Sequence, residues 1–486
     1  MSVSSEGSTM QANKHGVAVV VLAAGKGTRL KSQLPKVLHP LMRLPLLEHV
    51  LRTVESSGIS LGQRCVVVGH QANVVSDFLL TRSGEVWNPV LQEPQCGTGH
   101  ALQEVAKAVT LGECVLLLSG DVPLLRVETL AKLKQAFDEQ RTENNVAMLV
   151  VGATVENPKG YGRLLQSFDG QLQAIVEEKD ATEEQRAISL VNAGIYALHW
   201  PTIAPWLSQL SNNNAQNEVY VTDLVAIARQ HHQTVGVFTL KDDSEMLGVN
   251  SRADLAECHR LLNERTTRHW MAQGVTFVDP ATTWISPEVL HIGSDTILEP
   301  NCQLLGPVSI GDNCKIGANT QLVGVVSIGN HTSVLASVIQ DSTIGNRCSI
   351  GPFAHIRNQT VVADDVRLGN FVEVKNSSIG ANTNAAHLSY LGDSDIGSHV
   401  NMGAGSIIAN YDPIRKTKHR TTIEDHVKVG CNSVLVAPVA VGKNACVAAG
   451  SVITEGVAPD ALAIARPRQT TLAGWVSKTL SSLLIK

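Results

Sequence analysis

Aromatic residues are scarce in this chain of 486 residues: seven Phe, six Trp and five Tyr make up only 4% of it. A large conventional core uses more of them, so the deficit indicates a repetitive scaffold filled by small and β-branched side chains. A surplus of positive charge is also missing, since 39 Lys and Arg stand against 44 Asp and Glu. A net charge of −5 excludes the basic surface on which generic nucleic-acid binding depends.

Long hydrophobic runs and paired cysteines are missing too. The first apolar run, residues 17–24, is far shorter than the roughly 20 residues of a membrane span, and the polar segment before it has no signal-peptide core. The nine cysteines are scattered and never form a Cys-x-x-Cys pair, which favours a reducing compartment without disulfides or structural zinc. These absences predict a soluble cytoplasmic protein.

The first half of the chain alternates short apolar strands with amphipathic helices. Residues 17–22, 65–69, 114–118 and 146–151 read as buried strands, and residues 45–57 carry apolar positions at helical spacing. Uniformly apolar strands separated by helices predict an α/β domain with a mostly parallel, Rossmann-like sheet. Residues 251–273, charged and free of Gly and Pro, predict one connecting helix.

The second half has a different pattern, in which an aliphatic residue followed by Gly recurs. The first four pairs begin at Ile292, Ile310, Ile316 and Ile328, so their spacings of 18, 6 and 12 are multiples of six. A six-residue period is typical of a parallel β-helix in which three units complete one triangular coil. The polar, basic segment 411–422 interrupts the period and predicts a projecting loop, and residues 461–486 predict a basic, partly helical tail.

A glycine-rich turn follows the first strand. Gly25 and Gly27 allow the backbone to approach a phosphate chain, while Arg29 and Lys36 supply positive charge. Gly-x-Gly alone is a weak signal, but Gly-x-Gly-Thr-Arg-x(5)-Pro-Lys resembles the signature of sugar-nucleotide pyrophosphorylases. Together with the predicted β-helix, residues 17–466 resemble the bacterial bifunctional N-acetylglucosamine-1-phosphate uridyltransferase/glucosamine-1-phosphate N-acetyltransferase family.

The resemblance implies a left-handed β-helix of hexapeptide repeats, a homotrimer and four segments: a disordered extension (1–15), a pyrophosphorylase domain (16–250), a linker helix (251–274) and an acetyltransferase domain with its tail (275–486). It implies acetylation of glucosamine 1-phosphate by acetyl-CoA, then UMP transfer from UTP to N-acetylglucosamine 1-phosphate. The products would be pyrophosphate and the UDP-N-acetylglucosamine used for peptidoglycan and lipopolysaccharide precursors. The uncharged stretches 406–410 and 433–441 suit subunit contacts, and neither nucleic acid nor membrane is an expected partner.

In the first domain the resemblance implies a uridyl-nucleotide and sugar site with Mg²⁺ held by Asp121 and Asn250. A carboxylate and an amide oxygen suit Mg²⁺, which keeps several waters. Ser119 departs from the family, where close relatives carry an aromatic residue. The implied nucleotide and sugar residues are Leu22, Ala23, Ala24, Gly25, Arg29, Lys36, Gln92, Gly97, Thr98, Ser119, Gly120, Asp121, Gly162, Glu177, Asn192 and Asn250.

In the second domain the resemblance implies that His387 is the base of acetyl transfer, with Glu373 as its electrostatic partner. The implied sugar-phosphate contacts are Arg357, Lys375, Tyr390 and Asn401, and the implied acetyl-CoA contacts are Ala404, Asn410, Tyr411, Cys431, Ala449 and Arg466. Two departures concern this site: Asn358-Gln359 replaces the usual Pro-Gly, and Cys431 stands where a serine is expected.

Two other readings of the sequence remain open at this point. The β-helix could be only an oligomerising or regulatory module, as in ADP-glucose pyrophosphorylases, although the contexts of His387, Lys375 and Arg466 disfavour that. The chain could also be a non-enzymatic regulatory subunit resembling the catalytic-type subunits of translational exchange factors. The intact Gly-Thr-Arg, Pro-Lys and Gly-Asp elements argue against that alternative.

Overall fold

A computed structural model of the chain describes residues 16–168 and 170–483, with side chains up to residue 480. The extension predicted for residues 1–15 lies outside the described residues. Two compact units meet between Leu262 and Asn263. In the described part of the chain, none of the helices combines the length and hydrophobicity that crossing a membrane requires.

The first unit is an α/β domain, as the alternating pattern predicts. Its strands are β1 (Val17–Leu22), β2 (Pro40–Leu41), β3 (Leu44–Pro45), β4 (Leu61–Val68), β5 (Asn88–Leu91), β6 (Cys114–Ser119), β7 (Met148–Thr154), β8 (Arg163–Gln166), β9 (Leu172–Val176), β10 (Leu190–His199) and β11 (Val235–Thr239). Its helices are α1 (Leu46–Glu55), α2 (Ala72–Thr81), α3 (Thr98–Ala108), α4 (Val127–Asn144), α5 (Glu183–Arg186), α6 (Trp200–Ile203) and α7 (Leu224–Gln230). Short 3₁₀ helices cover Thr28–Leu30, Lys36–Leu38, Ala204–Gln209, Val221–Asp223 and Asp243–Met246.

The main sheet runs in the order β11-β7-β10-β6-β1-β4-β5. Strand β10 is antiparallel to both of its neighbours, while β1 is parallel to β4 and β6. Buried Val, Leu and Ala side chains cover both faces of the sheet, which is why its strands are uniformly apolar. The chain segments that leave the carboxyl ends of β1, β4, β5 and β6 are therefore neighbours at one edge, where ligands of such sheets bind.

The predicted connecting helix is α8 (Arg252–Ala272), and the boundary between the two units falls within it. Beyond it lie the strands of the second unit: β12 (Thr276–Phe277), β13 (Trp284–Ile285), β14 (His291–Ile292), β15 (Ile297–Leu298), β16 (Gln303–Leu305), β17 (Val308–Ile310), β18 (Lys315–Ile316), β19 (Gln321–Ile328), β20 (Ser333–Val334), β21 (Val338–Ile344), β22 (Ser349–Ile350), β23 (His355–Arg357), β24 (Val361–Val362) and β25 (Arg367–Lys375).

The unit continues with β26 (Ser378–Ile379), β27 (Asn384–Gly392), β28 (Ser394–Ile396), β29 (Asn401–Met402), β30 (Ile407–Ala409), β31 (Tyr411–Asp412), β32 (Thr417–Lys418), β33 (Thr421–Ile423), β34 (Lys428–Val429), β35 (Val434–Val436), β36 (Val439–Val441), β37 (Cys446–Val447), β38 (Val452–Ile453) and β39 (Leu462–Ala463). Helix α9 (Trp475–Leu483) follows. The coil thus reaches three residues into the segment predicted as tail, because Leu462 and Ala463 still pair with Cys446 and Val447 on the preceding coil.

The second unit is the predicted parallel β-helix. Leu298 pairs with Ile316 and Ile316 with Val334, so the regular step along the coil is 18 residues, or three units of six. The inward positions form one continuous core of Ile, Val, Leu and small residues, with Phe277 as its only fully buried aromatic among the described residues. A narrow interior that holds one aliphatic side chain per unit explains the scarcity of aromatics.

The glycines of the repeat allow neighbouring coils to approach closely. A Cβ atom on Gly329 would lie 2.6 Å from the carbonyl carbon of Gly345 on the next coil, a distance that side chains do not tolerate. Residues 411–418 form a two-stranded antiparallel hairpin of β31 and β32 outside the coil's own sheet, as predicted for a projecting segment. The predicted end at residue 422 is too late, because Thr421 and Thr422 already pair with the preceding coil.

Replacing Ile356 with Ala should destabilise the β-helix by about 2–4 kcal/mol, because the side chain is fully buried and its removal leaves a cavity. Urea unfolding followed by circular dichroism measures the effect. The matched control is Val361→Ala, whose side chain is 52% exposed and should change the free energy of unfolding by less than about 0.5 kcal/mol. Equal effects of the two substitutions would contradict the inward orientation of Ile356.

Candidate functional site

The first candidate site lies at the carboxyl edge of the sheet in the first unit. A cavity of 460 Å³ is lined by ten of the predicted nucleotide residues: Leu22, Ala23, Ala24, Gly25, Lys36, Gln92, Gly97, Thr98, Ser119 and Asp121. These residues come from the ends of β1, β5 and β6, which the sheet order places side by side. Sequence reasoning missed Lys26, Val37, Gln95, Ala101 and Glu218, which also line it.

A second cavity, of 390 Å³, contains the predicted sugar residues. Arg29, Gly162, Glu177, Asn192 and Asn250 line it, together with Lys159, Tyr161, Gly194 and Asp254, which the sequence did not single out. Gly120 lies between two residues of the first cavity without lining it. Side chains from both cavities meet, because the Lys36 ammonium contacts the Asp121 carboxylate and also donates a 2.7 Å hydrogen bond to Asn250 Oδ1.

Glycine at position 27 makes the position of Lys36 possible. Gly27 adopts a left-handed conformation (φ 59°), and a Cβ atom there would lie 2.6 Å from Lys36 Cβ. Any other residue would push the lysine away from Asp121 and Asn250. The turn after β1 is thus shaped to hold a positive charge where a phosphate chain would lie.

The two predicted metal ligands contact the same lysine side chain. Asp121 and Asn250 each present an oxygen to the same lysine ammonium, and Arg29 donates a 3.1 Å hydrogen bond to Asn250 Oδ1. The two oxygens therefore converge on a point that accommodates a cation. Within the described residues no group of three or more His, Cys, Asp and Glu side chains gathers around a possible metal position. A cation held here would keep waters in its remaining positions, as Mg²⁺ does.

Glu177 is the most perturbed acid in the sugar cavity. Burial raises the pKa of its carboxyl group, and the nearby Asp180, Asp223 and Glu218 add to that effect, while a 3.4 Å hydrogen bond donated by Thr222 opposes it. A half-buried carboxylate with little compensation is a strong acceptor for sugar hydroxyl or amide groups. The neighbouring Asn192 is oriented by its 2.7 Å hydrogen bond to Tyr196 Oη.

The second candidate site lies on the β-helix. Three of its residues lie on successive coils: Arg357 on β23, Glu373 on β25 and Tyr390 on β27. Glu373 stands opposite Tyr390 in the strand register. The Arg357 guanidinium forms an ion pair with Glu373 at 2.6 Å. Sequence reasoning assigned Glu373 to His387, but the side chain that contacts the His387 ring is Asn370, whose Oδ1 lies 3.0 Å from Nδ1. Asn401 lies on β29, on the next coil, where it pairs with Asn384 at the start of β27.

A cavity of 860 Å³ on the β-helix contains Lys375 of the predicted sugar-phosphate residues. It also contains Lys418, on the hairpin, which sequence reasoning missed although it recognised that segment as basic. The side-chain hydrogen bond with Lys375 lowers the pKa of Lys418, and the repulsion between the two like charges adds to that effect. Asn358 and Gln359, which replace Pro-Gly, also line this cavity, and both are left-handed (φ 58°).

A buried carboxylate organises the floor of this cavity. Asp393 accepts hydrogen bonds of 2.5 Å from both Asn376 Nδ2 and Asn410 Nδ2, and Lys375 Nζ lies 3.8 Å from it. Asn410 also donates a 3.4 Å hydrogen bond to the Tyr390 hydroxyl. Neither Asp393 nor Asn376 was predicted, and only their contacts reveal a role in holding Lys375 and Asn410.

Four of the six predicted acetyl-CoA residues, Ala404, Cys431, Ala449 and Arg466, lie on consecutive coils. The backbone N–H of Asn432, next to Cys431, donates to the Ala404 carbonyl at 2.8 Å, and the N–H of Gly450, next to Ala449, donates to the Cys431 carbonyl at 2.8 Å. A Cβ atom on Gly450 would lie 3.9 Å from Arg466 Cδ on the last coil. Tyr411, 52% exposed, begins the hairpin beside the buried Asn410.

Comparison with protein families matches three parts of the chain. Residues 19–190 match the MobA-like NTP transferase domain, residues 285–386 match the GMPPB C-terminal domain, and residues 420–455 match the bacterial transferase hexapeptide (six repeats). The hexapeptide match together with the parallel coils makes the second unit a left-handed β-helix of hexapeptide repeats, as predicted.

Curated relatives match almost the whole chain. Proteins named Bifunctional protein GlmU are 46% identical over 95% of the chain and 99% of the relative in Synechococcus sp. (strain CC9605), and 44% identical over 93% of the chain and 98% of the relative in Exiguobacterium sibiricum. A solved UDP-glucose pyrophosphorylase complexed with UDP-glucose is 18% identical, with a TM-score of 0.41, over 51% of the chain and 98% of that structure.

The relatives decide between the open readings of the sequence. In GlmU proteins the NTP transferase region is a uridyltransferase and the hexapeptide region is an acetyltransferase, so the β-helix is catalytic and the chain is an enzyme. With identities above 40% along nearly the full length of both proteins, this chain belongs to the family of bifunctional GlmU proteins.

Proposed function

We propose that the uridyl-transfer activity uses UTP and Mg²⁺ at the cavity bounded by β1, β5 and β6. The supporting observation is the convergence of the Lys36 ammonium with the oxygens of Asp121 and Asn250. The nucleotide would lie along residues 22–25, and the sugar would occupy the cavity of Gly162, Glu177 and Asn192. This assigns the uridyltransferase to residues 16–250, the linker to 251–274 and the acetyltransferase to 275–486.

The uridyl-transfer step needs positioning more than proton transfer. A phosphate oxygen of N-acetylglucosamine 1-phosphate attacks the α-phosphorus of UTP, a new P–O bond forms, and the bond to pyrophosphate breaks. The attacking phosphate is already ionised, so no base is required. Arg29 and Lys36 would hold the two anions together. Mg²⁺ bound by Asp121 and Asn250 would neutralise phosphate charge.

We infer that acetyl transfer takes place on the β-helix and uses Lys375, Lys418 and His387. The two lysines suit the phosphate of glucosamine 1-phosphate, and the column from Ala404 to Arg466 suits acetyl-CoA. His387 takes a proton from the substrate ammonium group, and the freed amine attacks the thioester carbon. A C–N bond forms and the C–S bond breaks. The imidazolium returns its proton to the departing thiolate, and the new amide nitrogen releases its second proton to water.

We propose that the protein is a homotrimer assembled through the β-helix. Three large apolar side chains lie exposed on consecutive coils beside His387: Phe353 (59%), Phe371 (56%) and Leu388 (60%). The two phenyl rings stack on each other at 5.3 Å. An apolar column of this kind is costly in water, and a second copy that covers it would bring another subunit next to the acetyl-transfer site.

Replacing Asp121 with Ala should lower uridyl transfer at least about 100-fold. The substitution removes the carboxylate that would bind Mg²⁺, and the phosphate charge would then no longer be neutralised. Acetyl transfer should remain near wild type. Pyrophosphate release and CoA release, measured on one preparation, test both statements. Loss of both activities would indicate misfolding, and loss of neither would reduce Asp121 to a structural role.

Replacing Glu177 with Gln should stabilise the first unit at pH 8 while it weakens uridyl transfer. Burial raises the pKa of the folded carboxyl group, so the stability linked to this group is present below the pKa of the unfolded state and is lost as pH rises through the folded value. The gain in melting temperature should therefore disappear near pH 4. A variant that is less stable than wild type at pH 8 would show that Glu177 is compensated by contacts of its own.

Replacing His387 with Ala should lower kcat for acetyl transfer by about 10²- to 10⁴-fold with little change in KM for acetyl-CoA, since a base acts mainly in the transition state. The pH–rate profile of the wild type should have an ascending limb, and the profile of the variant should lack it. Near-normal turnover with much weaker binding of glucosamine 1-phosphate would instead make His387 a substrate contact.

A further inference from the structure

The His387 ring has a side-chain partner on the preceding coil. Asn370 on β25 stands opposite His387 on β27 in the strand register, and its Oδ1 lies 3.0 Å from His387 Nδ1. An amide oxygen can only accept a hydrogen bond, so Nδ1 carries the proton. The neutral ring then presents its lone pair at Nε2, the nitrogen that faces away from Asn370.

The backbone around Asn370 leaves the amide little freedom to move. A Cβ atom on the preceding Gly369 would lie 1.8 Å from the carbonyl oxygen of Ala386, so only glycine permits this approach of the two coils. The following Phe371 is left-handed (φ 57°), and its ring stacks on Phe353. The close approach at Gly369 therefore holds the backbone next to Asn370 against the neighbouring coil.

Charged groups on the surrounding strands have other partners or lie elsewhere. On β25, Glu373 is paired with Arg357 at 2.6 Å, Lys375 faces Asp393, and Arg367 is exposed. On the coil that follows, β29 and β30 carry no ionisable side chain, and on β27 itself Tyr390 is the only ionisable side chain besides His387. The group that fixes the ring is thus a neutral amide rather than a carboxylate.

We propose that Asn370 is a positioning residue for acetyl transfer. It selects the tautomer of His387 in which Nε2 accepts the proton of the substrate ammonium group. Because the amide is neutral, it orients the ring without favouring the imidazolium as a carboxylate would, and the proton can pass on to the thiolate of CoA. The inference rests on the proposed role of His387 as the base.

The first test is Asn370→Ala. Acetyl transfer should lose about 10- to 10³-fold in kcat, since a positioned base loses its orientation but remains present, while KM for both substrates changes less than about twofold. The matched control is Asn384→Ala, an exposed asparagine on the same strand as His387, which should retain wild-type kcat. Equal losses in the two variants would contradict a specific role of Asn370.

The second test is Asn370→Asp, which keeps the acceptor and adds a negative charge. This variant should recover most of the kcat lost in Asn370→Ala at high pH, and the ascending limb of kcat/KM should move to higher pH by about one unit because a carboxylate stabilises the imidazolium. A merely structural residue would not move this limb. Circular dichroism and urea unfolding of the β-helix report whether each variant folds, and Asn370→Asp carries the test if Asn370→Ala does not.

The outcomes separate this inference from the proposed function. If His387→Ala abolishes acetyl transfer but both Asn370 variants behave as wild type, with an unmoved limb, then His387 is the base and Asn370 does not position it. If His387→Ala is itself nearly as active as wild type, the base has been assigned wrongly and the inference fails with it.

Discussion

The width of the β-helix interior is the constraint on which the second half of the molecule depends. One aliphatic side chain per six residues fits inside, so each coil must return to the same place after about 18 residues. Residues 17 or 18 apart in the sequence therefore lie side by side on the surface. The acetyl-transfer site is built from such pairs: Asn370 with His387, Lys375 with Asp393, and Asp393 with Asn410.

The first unit assembles its site by a different rule. There the sheet order brings together chain segments that are distant in sequence, and each leaves its strand at the same edge. Lys36, Asp121 and Asn250 meet in this way, although 214 residues separate the lysine from the asparagine. A buried acid such as Glu177 is placed beside them at a cost in stability, which is a common feature of binding sites.

Sequence patterns predicted the main features because each follows from a short period or a local motif. Strand β1 was predicted with its bounds, and the six-residue period gave the coil. The partner of His387 was predicted wrongly, because pairing depends on the length of one coil rather than on nearness in sequence. The spacing of 17 between Ile379 and Ile396 contained the needed signal, since it places residue 370 opposite 387 and residue 373 opposite 390. The approach of Lys418 to Lys375 had no such signal, because the hairpin that carries it lies outside the repeat.

The central claim is that the two active sites work independently of each other, and a mixing experiment tests it directly. Asp121→Ala and His387→Ala are each incubated with glucosamine 1-phosphate, acetyl-CoA and UTP, alone and together, and UDP-N-acetylglucosamine is quantified by chromatography. Each variant alone should make almost none. The mixture should make it readily, because the acetylated sugar phosphate released by one variant is the substrate of the other. A mixture as inactive as its components, while Asp121→Ala still acetylates and His387→Ala still transfers uridylate to added N-acetylglucosamine 1-phosphate, would contradict independent sites.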